Sequence, residues 1–211
     1  MKAPFLLATV SLIAVVAPTA ADAALYTLNE TASFSHVTSS NNFGAAASGS
    51  NWAAGSTSLT HGTFSWGVLA TDGSANTATF SGSSFSSADW GGTGTYTSTT
   101  IDVSGLTEVD IKFAGSSVFN STPTEFFNFF YQIDGGSLVS FGSLTASPGG
   151  SVSGTQNVPL SSNSSLVVGF SYNHNGSSDN AIVSQLEVVP EPTAALLGSL
   201  GLLGLLRRRR P

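Results

Sequence analysis

Residues 126–141 read Phe126-Phe-Asn-Phe-Phe-Tyr-Gln-Ile-Asp-Gly-Gly-Ser-Leu-Val-Ser-Phe141, and this stretch decides the fold. Successive side chains of a strand point to opposite faces. Phe127, Phe129, Tyr131 and Ile133 therefore share one face, and Phe126, Asn128, Phe130 and Gln132 share the other. Asp134-Gly135-Gly136 follows as a tight turn, because glycine tolerates positive φ. Ser137–Phe141 then returns as the hairpin partner. A strand, a tight-turn signal and a second apolar run predict antiparallel β-structure.

The same grammar extends outward. In Glu108–Phe113, Val109, Ile111 and Phe113 alternate with Glu108, Asp110 and Lys112, predicting a strand with one wet face. Thr95–Val103 is β-branched and reads as one strand closed by Ser104-Gly105. Leu166, Val168, Phe170 and Tyr172 form the next strand. Ile182, Ser184, Leu186 and Val188 form the last, with Ile182 and Leu186 expected in the core beside Tyr131. Earlier residues are less regular. Thr38–Ser58 reads as a long loop, Phe64, Trp66 and Val68 share one strand face, and Thr77–Phe80 is a short strand. No amphipathic helix is legible between 24 and 188. The expected fold is all-β, an antiparallel β-sandwich over residues 24–188, flanked by an N-terminal signal helix and a C-terminal hydrophobic helix.

Charge narrows the function classes. Only 9% of the chain is charged, against about 25% in an ordinary soluble domain. Between residues 24 and 188 Lys112 is the sole basic residue against ten acidic ones, a net charge of −9. Such a field repels phosphate polymers, so no nucleic-acid partner is expected. The chain has no cysteine, so its stability rests on packing or bound ions.

The two ends read as addresses. Lys2, the apolar run Phe5–Val16, Pro18 and Ala21-Asp22-Ala23 form a signal peptide over 1–23, with cleavage before Ala24 and export by the secretion machinery. The competing reading, a membrane anchor, needs about 20 apolar residues, and this run has 12. At the other end Val189-Pro190-Glu191-Pro192-Thr193 precedes the apolar run Ala194–Leu206 and then Arg207, Arg208, Arg209, Arg210 and Pro211. The prolines keep the tripeptide extended. Thirteen apolar residues make a short transmembrane helix of about 20 Å, and the arginines stay cytoplasmic. A permanent tail anchor remains the alternative to processing.

This order of tripeptide, apolar helix and basic cluster over residues 189–211 resembles the PEP-CTERM sorting signal of exosortase-processed proteins. The resemblance implies a Gram-negative host that makes exopolysaccharide. It also implies transient anchoring in the inner membrane, processing at Pro190-Glu191-Pro192 by an exosortase-like enzyme, and release to the cell surface or extracellular matrix. The middle domain resembles the second half of jelly-roll β-sandwiches of exported proteins. That likeness is carried by Val109-Asp-Ile-Lys-Phe113, Tyr131-Gln-Ile-Asp-Gly-Gly136, Leu166-Val-Val-Gly-Phe-Ser-Tyr172 and Ala181-Ile-Val-Ser-Gln-Leu-Glu-Val188.

Catalytic signatures are missing from the sequence. His36, His61 and His174 have no zinc-binding spacing, and no G-x-S-x-G occurs. Asp102, Asp110, Glu125 and Asp134 are the carboxylates from which a glycan hydrolase would need a pair. Asp179, Asn173 and Asn175 offer the oxygens that calcium takes, and no other cofactor is indicated. Trp52 and Trp90, among Gly and Ser, are candidates for stacking on sugars, whereas Trp66 belongs to the core. The expected function is a non-enzymatic exported surface or matrix protein. The alternative is a carbohydrate-binding module associated with exopolysaccharide, and a hydrolase stands third.

Overall fold

The computed structural model describes residues 24–37, 40–41, 51–52, 54–67, 69–70, 76–88, 92–119, 125–145, 148–161, 164–174 and 179–191. The strands are β1 (Tyr26–Thr27), β2 (Glu30–Val37), β3 (Ser40–Asn41), β4 (Asn51–Trp52), β5 (Gly55–Ser58), β6 (Gly62–Trp66), β7 (Leu69–Ala70), β8 (Asn76–Gly82), β9 (Ser84–Ala88), β10 (Thr93–Ser98), β11 (Ile101–Asp102), β12 (Glu108–Val118), β13 (Phe126–Ile133), β14 (Val139–Thr145), β15 (Gly149–Pro159), β16 (Ser165–Asn173) and β17 (Asn180–Pro190). No helix occurs among the described residues. Both expected flanking helices, residues 1–23 and the run from Ala194, lie outside them.

Two antiparallel sheets form a β-sandwich. The first runs β15-β12-β17-β9-β8-β2-β3, with β1 on β17; the second runs β14-β13-β16-β10-β6-β5, with β11 on β16. Aromatic pairs knit the two inner faces. Phe85 meets Phe170 at 4.8 Å, Phe113 meets Phe129 at 5.2 Å, Phe80 meets Tyr96 at 5.3 Å and Phe34 meets Phe64 at 5.5 Å between ring centroids. A chain without disulfides gains its cohesion here, since each such pair adds about 0.5–1.5 kcal/mol beyond its buried area. Gly94 makes room for this packing: a Cβ there would lie 2.3 Å from the Tyr172 ring.

The deciding hairpin forms as its sequence requires. Asp134 and Gly135 both take positive φ (51° and 67°), and Gly136 N donates to Ile133 O at 2.8 Å. Two consecutive left-handed residues are the signature of a type I′ turn. Phe127 and Phe129 are buried between the sheets, and so are Val109, Ile111, Phe113, Leu166, Val168, Phe170 and Leu186.

Five features differ from expectation. Ile182 is 41% exposed, while its neighbours Ala181 and Val183 are buried. The β12–β17 register passes from Ala114↔Gln185 to Gly115↔Val183, so Ser184 is an inserted residue. One extra residue reverses the facing of every residue before it. Tyr131, at the far end of β13, is only half-buried. Thr95–Val103 is two strands, β10 and β11, separated by Thr99-Thr100, and the return of the hairpin begins at Val139. Thr38–Ser58 is not wholly a loop, because β5 covers Gly55–Ser58.

Candidate functional site

Three polar constellations stand out. The first is where the body meets the proposed sorting motif. β17 is an interior strand of its sheet, and its last residue, Pro190, pairs with Val109. Pro190 lacks an N–H, so it suits a strand terminus. The next residue, Glu191, remains on the sheet surface, where its Oε1 accepts from Asn157 Nδ2 at 2.6 Å. The same amide lies 3.4 Å from Glu108 Oε2 and 3.4 Å from Asp110 Oδ1. Three carboxylates thus gather about one amide. A hydrogen bond shared with Asp110 is the first cause holding the Glu191 carboxyl above its ordinary range, and the charges of Asp110 and Glu108 push the same way.

The second constellation is buried. Ser117, Glu125, His174 and Asp179 are each about 1% exposed. Ser117 comes from β12, Glu125 precedes β13, His174 follows β16 and Asp179 precedes β17, so the strand termini of both sheets converge on one end of the sandwich. Ser117 Oγ donates to Asn180 O at 2.6 Å and lies 3.2 Å from His174 Nε2. The serine proton is committed to a carbonyl, so Nε2 carries the hydrogen and Oγ accepts it. A nucleophilic serine needs the reverse, an imidazole nitrogen free to take its proton. Burial pushes the His174 imidazole down to about 4, against the attraction of Asp179.

The third is a staple between the sheets. The buried Glu30 of β2 accepts from His61 N at 2.7 Å, Thr60 N at 3.0 Å and Tyr96 Oη at 3.0 Å. Tyr26 Oη lies 2.8 Å from Tyr96 Oη. Burial raises both phenols, that of Tyr26 to about 12.

The structure treats the expected site residues unevenly. Asp179 is buried, and Asn173 pairs with Phe126 and Thr93 at the end of β16. Asn175, Trp90, Ala21, Ala23, Pro192 and Arg207–Arg210 lie outside the described residues. Trp52 pairs with Leu69 through its backbone in a separate two-stranded ribbon. Trp66 is in the core. Ala24 borders a groove of about 530 Å³ with His61 and Asp102. Among the described residues no three His, Asp or Glu side chains are grouped to hold a metal ion. Nor do the described residues hold a helix long and apolar enough to cross a membrane. Sequence reading missed Glu30, Ser117 and Asn157 and weighed His174 only as a zinc ligand, because each gains its partners from residues 30 or more positions away.

No known protein family matches this chain, and no curated protein matches it.

Proposed function

We propose that this chain is an exported, non-enzymatic surface or matrix protein with a jelly-roll body, sorted through a PEP-CTERM-like tail. One observation carries the reading. The strand β17 runs into the tripeptide without a linker, and Glu191 still rests on Asn157. From Glu191 to the first apolar residue, Ala194, is three residues, at most about 10 Å of chain. A body so close to the membrane presents the tripeptide at the outer face, where a membrane-embedded processing enzyme would meet it. Ser117, whose proton goes to Asn180 O, supports a structural rather than a nucleophilic role for the buried polar cluster. Mass spectrometry of the mature protein from its own host tests the proposal. A chain that begins at Ala24 and lacks Arg207–Arg210 agrees with it. A chain that retains the arginines makes the tail a plain anchor.

A second reading, a carbohydrate-binding module, is favoured by one feature of the first sheet. Across its outer face the register aligns Ser33, Thr79, Ser86, Ile182, Ser116 and Ser151 in one row. Ser33 Oγ and Thr79 Oγ1 are 3.3 Å apart. Beside the row a depression of about 350 Å³ is lined by Ser83, Ser184, Gln185 and Glu187. This uncharged row, rich in hydroxyls, offers hydrogen bonds to a neutral polysaccharide. Affinity electrophoresis against neutral glucans tests this: Ser86→Lys with Ser116→Lys should abolish any retardation, and the absence of retardation in the parent chain would refute it.

A further inference from the structure

The two long edges of the sandwich lie on the same side. β15 ends the first sheet, β14 ends the second, and the two strands are consecutive in sequence and in contact. The opposite ends are the two-residue β3 and the four-residue β5. β15 is 11 residues long and pairs with β12 along its whole length, from Glu108↔Pro159 to Val118↔Gly149. Its other side has no strand among the described residues. Alternate residues of an antiparallel strand direct both N–H and C=O to the same side, so five or six residues of β15 present backbone groups along this edge that no strand among the described residues pairs with.

Proteins ordinarily blunt such an edge with lysine, an internal proline, a bulge or shortness. Here none of these is present. Gly149–Pro159 contains no charged residue, its only proline is terminal, and the β12–β15 register is unbroken. The absence of charge extends much further: from Gly135 to Ser178 the sequence holds no Asp, Glu, Lys or Arg. On the neighbouring β14 side, Leu138 is 59% exposed and Val139 43%. This wall is the uncharged side of a body that carries −9.

We propose that the β15 edge is a self-association surface, at which a second copy of this chain pairs antiparallel about a two-fold axis near Gly154. Charge selects both the partner and the direction. Two acidic bodies repel each other except where their charge is missing, and β15 is such a place. The acidic trio Glu108, Asp110 and Glu191 sits at the Asn157 end of the strand. In full-overlap antiparallel pairing, Asn157 lies opposite Ser151 of the second copy and Ser153 opposite Thr155 of the second copy. The two trios are then at opposite ends, about 20 Å apart at 3.4 Å per residue. Parallel pairing would set them side by side. A two-fold contact is also closed, so it makes a dimer with one sheet continuous through both copies.

Because the chain has no cysteine, single cysteines report the contact without further engineering. Full-length chains in detergent, each carrying one of Ser151→Cys, Ser153→Cys, Thr155→Cys, Asn157→Cys or the control Ser33→Cys, are treated with a short bis-maleimide. Dimer yield should peak at 153 and 155, fall toward 151 and 157, and stay at background at 33. Equal yield at 33 and along β15 would mean collision or pairing through the tail, and would overturn the proposal. Independently, Ser153→Lys with Thr155→Lys brings four lysines together across the axis. It should lower the dimer fraction in sedimentation at least tenfold with circular dichroism unchanged. A folded double variant that remains dimeric would overturn the proposal as well.

Discussion

Ser117 Oγ lies 3.2 Å from His174 Nε2 and gives its own proton to the carbonyl of Asn180 at 2.6 Å. The Nε2 hydrogen of a buried imidazole is thereby directed at a hydroxyl, and burial is what favours the neutral ring. Tyr172 and Phe119 flank the ring, their centroids 4.9 Å and 6.0 Å from it. Its Nδ1 has no hydrogen-bond partner among the described residues. Protonation at this position places a charge among aromatic rings, with Asp179 as the compensating group.

The acid stability of the protein should therefore depend on His174. Its folded pKa, about 4, lies below the ordinary 6.5. Between these values the unfolded chain binds the proton and the folded chain does not. The contribution is intact above about pH 6.5, falls as the pH drops and is lost by about pH 4, a total of roughly 3 kcal/mol. Urea denaturation of the parent and of His174→Gln across this range reads the difference. Parallel stability–pH curves for the two proteins would show that His174 does not titrate in this way.

The Glu30 staple should be the costliest polar contact to break. Glu30→Ala leaves the Thr60 and His61 N–H groups without their acceptor and removes one of the two partners of the Tyr96 hydroxyl, which keeps Tyr26 Oη. A loss of about 3 kcal/mol is expected, and about 1 kcal/mol for Tyr96→Phe. Thermal denaturation measures both, and a larger loss for the tyrosine variant would contradict this ranking.

The inserted residue at Ser184 makes two adjacent side chains energetically unequal. Val183 is fully buried and Ile182 is 41% exposed. Val183→Ala should cost about 2 kcal/mol, and Ile182→Ser should stay within about 0.5 kcal/mol of the parent. Comparable losses at both positions would place the register one residue away.

The carboxyl cluster at the end of β17 should respond to pH in the opposite sense to His174. The Glu191 pKa is raised, chiefly by the hydrogen bond it shares with Asp110. That contact is fully formed while Glu191 is protonated and weakens as the pH rises through its folded pKa. Asp110→Asn should bring Glu191 back toward the ordinary carboxylate range, as side-chain carboxyl NMR titration would record. An unchanged titration would remove Asp110 as the cause.

Sorting gives the last prediction. Changing Pro190, Glu191 and Pro192 to Ala should leave full-length protein in the inner-membrane fraction. Changing Arg207–Arg210 to Ser should release unprocessed chain, because each arginine costs about 2.5–3.5 kcal/mol at the bilayer centre and resists translocation. Blots of membrane and secreted fractions, with and without the sorting enzyme, separate the two. A triple-alanine variant cleaved like the parent would show that the tripeptide is not read.

The sequence by itself determined whatever depends on near neighbours in the chain. Alternation in Val109, Ile111 and Phe113 placed them inside, and Asp134-Gly135 set the hairpin turn. Tertiary pairing decided the rest. β15 has only two valines, Val152 and Val158, among its small and polar residues, so it is a strand because β12 offers it eleven partners. The exposure of Ile182 follows from one residue inserted opposite Ala114 and Gly115, which no local pattern encodes. Glu30, Ser117, His174 and Asp179 are polar residues of ordinary surface type. They are buried because the sandwich brings distant strand ends together, where Glu30, Ser117 and His174 exchange water for partners far away in the chain.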